Sequence, residues 1–315
     1  MSNHNPLVSV VIPTHNRKDL LADAIDSVVN QTYDNIEIII IDDDSDYNIE
    51  NCLREHPQNI KLISNNSNQG ANWSRIRGIL SSEGDYLAFL DDDDLWDNTK
   101  IEKQIKAITH SESSVGVVTV GYRTKSGETI IPKQTSGKQL MKSFLLSENS
   151  IGGFSMILVK RSAIKDAGLP DIRLSSSQDL EWYIRLAKVC DFYIISEPLV
   201  TYNDDNDIER ISNRSWEEQH DSQGEILNKH EYILNNFGIR FKRKAHSKRY
   251  ITLSKYAAIS GEYSNCRKHA ILAAKKYPIS MTPPIMYVLS FFADGITSIY
   301  SKIPSRVQEH LPNII

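Results

Sequence analysis

The chain has 315 residues, of which 40% are apolar and 24% charged, enough for a real core in one large domain or a catalytic domain with an appendage. The formal net charge of −4 hides an asymmetry: from Arg240 onward there are 13 Lys/Arg against 3 Asp/Glu, a net of +10, which leaves −14 for residues 1–239. Three widely spaced cysteines (Cys52, Cys190, Cys266) without a CxxC argue against a disulfide framework or a zinc site. The polar start (Met1 to Leu7) and the lack of 18 uninterrupted apolar residues argue against a signal peptide or spanning helix, so a cytoplasmic protein is expected.

Val8 to Ile12 is an apolar run closed by Pro13, as in a buried parallel strand, and the polar loop Thr14-His15-Asn16-Arg17 follows. Leu20, Leu21, Ala24, Ile25, Val28 and Val29 then lie on one helical stripe. Ile36 to Ile41 predicts a second strand ending in Asp42-Asp43-Asp44-Ser45, Asp46 to His56 a helix, and Ile60 to Ile63 a third strand. A loop over Asn65 to Asn72 leads into a helix carrying Trp73, Ile76, Ile79 and Leu80, and Gly84 precedes a strand over Tyr86 to Leu90. This β-α-β-α-β-α-β order predicts a doubly wound parallel sheet whose ligands sit beyond the carboxyl ends of the strands.

The strand from Tyr86 runs directly into Asp91-Asp92-Asp93-Asp94-Leu95-Trp96. Adjacent like charges repel, so such a cluster is either an exposed acidic turn or a holder of a cation. Alternate residues of an extended segment face one way, which puts Asp91 and Asp93 on a common side. Mn²⁺ or Mg²⁺ suits one or two carboxylates plus substrate phosphates. No GxGxxG follows the first strand, so an NAD-type phosphate cradle is absent, and a nucleoside diphosphate serving as leaving group would need metal and Arg.

Val8 to Asn16, Glu37 to Ser45, Asn68-Gln69-Gly70 through Arg75, and Gly84 to Trp96 resemble, in order and spacing, the family 2 glycosyltransferases of the GT-A fold, with the match extending over roughly residues 7–205. The resemblance implies that Pro13, Thr14 and Asn16 meet the base and ribose of a nucleotide-sugar donor. It implies that Asp43, beside Asp42, accepts a hydrogen bond from the base, and that Arg75 approaches base and diphosphate. Asp91, Asp92 and Asp93 cover the DxD region, with Asp93 the direct metal ligand. The family often has a small residue where Asp92 stands.

Further on, Gly152 and Gly153 precede a strand-like Met156 to Val159 and resemble an acceptor-side loop, a flexible turn being the plain alternative. In the helix that begins near Gln178-Asp179-Leu180-Glu181-Trp182, the resemblance makes Asp179 the catalytic base, with Gln178 in place of the usual Glu and Trp182 on the acceptor side. By residue chemistry alone, Ser175 to Ser177 and Asp179 could equally cap that helix. The Gln-Arg-x-x-Arg-Trp signature of processive synthases is missing, which implies single additions. One base and one displacement imply inversion, from a UDP-sugar in preference to other donors, onto a hydroxyl of a glycan or lipid-linked acceptor in surface glycan or glycoprotein biosynthesis. The rival expectations are a non-catalytic nucleotide-sugar-binding scaffold and a polyanion-binding α/β protein.

The expected domains are 1–215, catalytic, divided into a nucleotide-sugar half (1–110) and an acceptor half (111–215), and 216–315, helical and basic. Tyr202 to Arg214 is expected as a loop, Trp216 to Asn235 as a helix, and Ser260-Gly261-Glu262 as the bend of a hairpin that stops at Pro278. Ile285 to Ile303 is expected as an amphipathic helix contacting either an anionic membrane or a second subunit, a homo-oligomer being one outcome. The basic residues form no known nucleic-acid motif, so no nucleic-acid partner is expected.

Overall fold

The computed structural model describes residues 5–53, 60–133, 137–146, 149, 151–205, 215–280 and 283, and the structural statements that follow concern those residues. The chain divides into two compact units. The first takes in Met1–Phe144, Asn149–Ile172 and Gln178–Ile208; the second takes in Leu145–Glu148, Arg173–Ser177 and the chain from Glu209 onward.

The first unit is built on β1 (Val8–Thr14), buried along its whole length. Its apolar run pairs in parallel with β2 (Ile36–Asp42) on one edge and β4 (Tyr86–Phe89) on the other, with β3 (Ile60–Ser64) outside β2. Such strands are covered on both faces, which is why they read as continuous apolar segments. Helix α1 (Lys18–Val29) buries Leu21, Ala24, Ile25 and Val28, the i, i+3, i+4, i+7 stripe of an amphipathic helix. The expected helix over Asp46 to His56 is one turn among the described residues, α2 (Glu50–Leu53), with 54–59 outside them. Its start is late because Asn48 Oδ1 accepts from the Glu50 N–H at 2.8 Å, a local turn that competes with helix before that point.

Beyond β4 the sheet changes direction. β5 (Leu95–Trp96), α4 (Lys100–His110) and β6 (Val115–Thr124) follow the acidic run, and β7 (Thr129–Ile130) folds back on β6. β8 (Ile157–Lys160) inserts antiparallel between β4 and β6, while β9 (Asp191–Tyr202) pairs in parallel with β6 and antiparallel with β5. The order is β3-β2-β1-β4-β8-β6-β9-β5. The expected α/β fold is therefore present, but its sheet is purely parallel only through β4. This arrangement sends the carboxyl ends of β1, β2 and β4 to one rim, where α3 (Ala71–Ser81) also begins.

In the second unit α8 (Trp216–Asn236) starts in a capping box, where Ser215 Oγ accepts from the Glu218 N–H and the Glu218 carboxylate accepts from the Ser215 N–H. α9 (Ile239–Ile259) and α10 (Tyr263–Lys276) form the expected hairpin, turning at Gly261 with φ 76°. Ser247 donates to the Ala273 carbonyl and Ser254 to the Cys266 carbonyl, each at 2.9 Å. Seven residues forward on α9 match seven back on α10, the register of an antiparallel pair. The expected helix over Ile285 to Ile303, and the loop beyond Asp205 up to Arg214, lie outside the described residues. Among the described residues no helix is long and apolar enough to cross a membrane.

Gly78 of α3 faces β1 so closely that an added Cβ would lie 2.2 Å from Val11 Cγ1, and Val11 is fully buried. Alanine is the better helix former by about 1 kcal/mol, yet overpacking a core contact costs about 1–3 kcal/mol. Gly78→Ala is therefore expected to lower stability in denaturant melts by up to about 2 kcal/mol. A raised midpoint would show that α3 moves off β1 for less than the helix gain.

Candidate active site

The rim is held together by its own loops before any ligand is considered. Asp43 donates its N–H to the Thr14 carbonyl at 2.8 Å, joining the ends of β1 and β2. Asn16, at φ 55°, donates its N–H to Ser45 Oγ and accepts from the Asp46 N–H, so the first two loops are stitched to each other. Asp42 Oδ1 accepts from the Ser45 N–H at 3.0 Å, which closes the turn after β2. Pro13 does not end β1: it is buried inside the strand opposite Ile41, and the strand runs on to Thr14.

Asp43 carries a second layer of contacts. Its Oδ1 accepts from Asn65 Nδ2 at 2.6 Å and from the Gln69 N–H at 2.9 Å, and its Oδ2 accepts from the Gly70 N–H at 2.7 Å. A carboxylate at the amino end of α3 is favoured by the helix dipole and by the free N–H groups there. Gly70 sits at φ 87°, a backbone state that glycine reaches without strain. Three donors leave Asp43 with acceptor capacity for one more.

The four carboxylates after β4 are not equivalent. Asp92 and Asp94 are buried at 4% and 2% exposure, whereas the side chains of Asp91 and Asp93 keep 32% and 13%. Burial pushes the Asp92 carboxyl up to about 6, against the pull of Arg17 and of the Thr14 hydroxyl, which donates to Asp92 Oδ2 at 2.7 Å. Burial raises Asp94 well above the usual carboxylate range, and the charges of Asp91 and Asp93 add to the effect. Ser155 Oγ accepts from the Asp91 N–H and hydrogen-bonds to the Asp94 carboxyl, which also accepts from the Asn203 N–H at 3.0 Å.

Two arginines answer this charge. Arg17 Nη1 lies 2.9 Å from Asp92 and 3.0 Å from Asp93. Arg75, 3% exposed on α3, forms an ion pair with Asp91 through Nη2 and stacks on Phe154 with Cζ 4.1 Å from the ring centroid. Its Nη1 points at Gln178 Oε1, 3.5 Å away, at the start of α7 (Gln178–Val189). The end of β4, α3 and α7 are thereby brought to one place.

Asp179 is partly exposed beside Gln178 and accepts from Asn149 Nδ2 at 2.6 Å. The same Asn149 amide donates to the Gly152 carbonyl at 3.0 Å, tying the glycine loop to the carboxylate. Burial raises the Asp179 pKa, opposed by the Leu180 N–H and by Arg75 and assisted by Asp91. Gly152 adopts φ 80°, and an added Cβ would meet Met156 and Tyr122 at 3.1 Å; Gly153 opens onto empty space. Trp182, expected on the acceptor side, is instead fully buried, with its indole N–H donating to the Gly168 carbonyl at 2.8 Å and its ring against Phe89 and Phe154. Its bulk and apolarity put it in the floor that supports Arg75, out of reach of an acceptor.

Sequence reading passed over Arg17, Asn149, Ser155 and Asn203. The signal for Arg17 was present, since a lone cation in the loop after β1 faces a rim of carboxylates. Asn149, Ser155 and Asn203 are single polar residues, the last two in segments expected as a glycine turn and a polar loop, and nothing in their spacing marked them out. Among the described residues no group of three or more His, Cys, Asp or Glu converges as a ready metal cage. Asp91 and Asp93 are nonetheless hard oxygen donors on the exposed side of the run. That donor set fits a divalent ion whose remaining positions are filled by phosphate oxygens and water.

Because Asp92 is protonated in the folded chain up to about pH 6, but only up to about 3.9 when unfolded, its contribution to stability falls as pH rises through that window. Melts of wild type and Asp92→Asn in chelator are expected to diverge between pH 4 and 6, with wild type losing ground to the variant as pH rises. Parallel profiles would place the Asp92 carboxylate in a solvated setting.

Comparisons with known proteins identify the family. The family model described as Glycosyl transferase family 2 matches residues 9–168. TuaG of Bacillus subtilis, a glycosyltransferase assigned to teichuronic acid biosynthesis, is 30% identical over 221 residues, covering 69% of this chain and 85% of its own length. The Escherichia coli protein WfgD, a UDP-Glc:alpha-D-GlcNAc-diphosphoundecaprenol beta-1,3-glucosyltransferase, is 26% identical over 251 residues, 76% of this chain and 95% of its own. The crystal structure of S. aureus TarS 1-349 in complex with UDP-GlcNAc superposes with a TM-score of 0.61 at 15% identity, covering 89% of this chain and 90% of that one, a likeness of fold. With the matched segment spanning β1 through the acidic run and on past β8, the chain belongs to glycosyl transferase family 2.

Proposed function

We propose that this glycosyltransferase moves a sugar, with inversion, from a UDP-sugar to a hydroxyl of a lipid-linked acceptor in surface polysaccharide synthesis. The observation that carries the reading is the junction of Arg75 with Asp91 on one side and the start of α7 on the other. In support of it, Asp179 follows Gln178 in the chain and feels the charges of both Arg75 and Asp91. The relatives point the same way: WfgD is named for a UDP-glucose donor and a diphosphoundecaprenol-linked acceptor, TuaG for teichuronic acid, and TarS was crystallised with UDP-GlcNAc.

In this reading the diphosphate lies over Asp91 and Asp93, and Pro13, Thr14, Asn16, Asp42 and Asp43 line the base and ribose. A Mn²⁺ or Mg²⁺ ion held by Asp93 and Asp91 would supply charge stabilisation for the departing diphosphate. Asp179 accepts the proton of the acceptor hydroxyl as that oxygen attacks the anomeric carbon from the face opposite the leaving group. An ordinary aspartate is a weak base near neutrality; the raised pKa of Asp179 improves it, at the cost of inactivation when it protonates. Asn149 holds the carboxylate in one orientation, and Gly152 and Gly153 let acceptor backbone or sugar approach it closely.

Asp179→Asn is expected to keep UDP binding by calorimetry while lowering turnover by about 10²–10⁴-fold, the usual worth of a general base. In wild type, kcat should fall with decreasing pH through a limb above the ordinary aspartate range, and residual turnover of the variant should lack that limb. Turnover within a few-fold of wild type in the variant would remove Asp179 from the chemistry. Metal-dependent binding of UDP in preference to GDP, lost in Asp93→Ala, is the matching result for the donor side. Failure of both nucleotides to bind with Mn²⁺ present would sink the donor assignment.

A further inference from the structure

A second site of opposite charge lies wholly within the helical unit. A cleft of about 470 Å³ opens where α9 and the last turn of α10 meet the later part of α8. Lys242 and Arg243 line it from α9, Lys275 and Lys276 from α10, and Glu231 of α8 is the one acid there. Glu231 is already committed: it pairs with Lys242 and sits 3.1 Å from His246 Nε2. Arg243, Lys275 and Lys276 are exposed and make no ion pair among the described residues, leaving the cleft strongly cationic.

The placement of these cations needs a reason outside the fold. Lys275 and Lys276 complement the carboxyl end of α10, but Lys242 and Arg243 fall in the first turns of α9, where the helix dipole disfavours positive charge; α9 carries no acid in its first turn, Lys242 is offset by Glu231 of α8, and Arg243 has no ion-pair partner among the described residues. Cations gathered at a helix amino end are the arrangement that receives an anion. An isoleucine shares the cleft: Ile239, the first residue of α9, is 70% exposed. A soluble phosphate has no use for a bared isoleucine, whereas a bilayer surface offers lipid phosphates to the cations and an acyl boundary to the apolar side chain.

We propose that this cleft, through Arg243, Lys275, Lys276 and Lys242 with Ile239 at its edge, is a docking site for the phosphate groups of an anionic phospholipid surface. The proposal does not rest on the transferase reading, since it needs no donor, acceptor or turnover.

Co-sedimentation of the full chain with phosphatidylcholine vesicles, and with vesicles in which roughly one lipid in three is phosphatidylglycerol, tests it. Wild type is expected to bind the anionic vesicles, weakly at high salt, and to ignore the neutral ones. Each cation removed near a charged surface costs about fivefold, so Lys275→Ala/Lys276→Ala should bind roughly 30-fold more weakly. Arg243→Ala, which relieves α9 of an unfavourable charge and therefore folds, should bind about fivefold more weakly. Lys106→Ala/Lys125→Ala, which removes two exposed lysines from the other unit, should bind as wild type does. An equal loss in that control would mean diffuse attraction and overturn the site. So would equal binding to neutral vesicles, or millimolar binding of inorganic pyrophosphate with no vesicle binding, which would mark a site for free phosphate instead.

Discussion

Arg17 and Arg75 reach the acidic run from two different elements, and the rim of this fold depends on that convergence. Without them, consecutive carboxylates at the end of a buried strand would repel one another in a medium that screens poorly. Arg75 is the more constrained of the two: it is almost wholly buried, stacked on Phe154 and fixed to Asp91. Asp91 keeps about a third of its side chain in solvent, so loss of the pair strands the buried guanidinium and not the carboxylate. Phe154, packed in turn against Phe89 and Trp182, carries that guanidinium on its ring face.

The parallel half of the sheet was legible because its physics is local. Each of β1, β2 and β4 is a short apolar run ended by a polar turn, and α1 between the first two shows a single apolar stripe. The second half was not. β6 is buried through its first seven residues but has glycines and a threonine among its valines, β9 is of mixed burial, and their pairing shifts register twice near Val120 to Tyr122, so neither alternation nor a continuous apolar run marks them. The reversal at β8 is a long-range pairing, and three apolar residues followed by a lysine carry no indication of which neighbour they will meet.

The site divides along the same line. Carboxylates announce themselves by charge, but the run is a turn and not the extended segment expected: the Asp94 N–H donates to the Asp91 carbonyl at 3.0 Å, and Arg17 joins Asp92 to Asp93 while Asp91 pairs with Arg75. What single-residue reading misses is the partner that holds a carboxylate still. Asn149 is three residues from Gly152 and thirty from Asp179, yet one amide group joins both. Trp182 illustrates the converse error. A tryptophan three residues after the proposed base shares its helix face and so looks like a sugar platform, but Phe89 and Phe154 pack over Trp182 and leave it no exposure.

The charge balance of the rim bears on what can bind there. Burial drives Asp92 and Asp94 toward the neutral acid, leaving Asp91 and Asp93 as the exposed carboxylates of the run. The two arginines are already paired with that run, and Asp43 is engaged by three donors of its own loop. A nucleoside diphosphate would therefore meet a surface whose cations are committed, with Asp42 and Asp43 nearby adding negative charge. Two anions facing each other in a partly dry cleft are repulsive unless a cation of higher charge stands between them. A divalent ion supplies that charge and prefers the oxygen donors that both sides present. This electrostatic mismatch, more than the count of aspartates, is the physical argument for a metal-bridged donor in the proposed reaction.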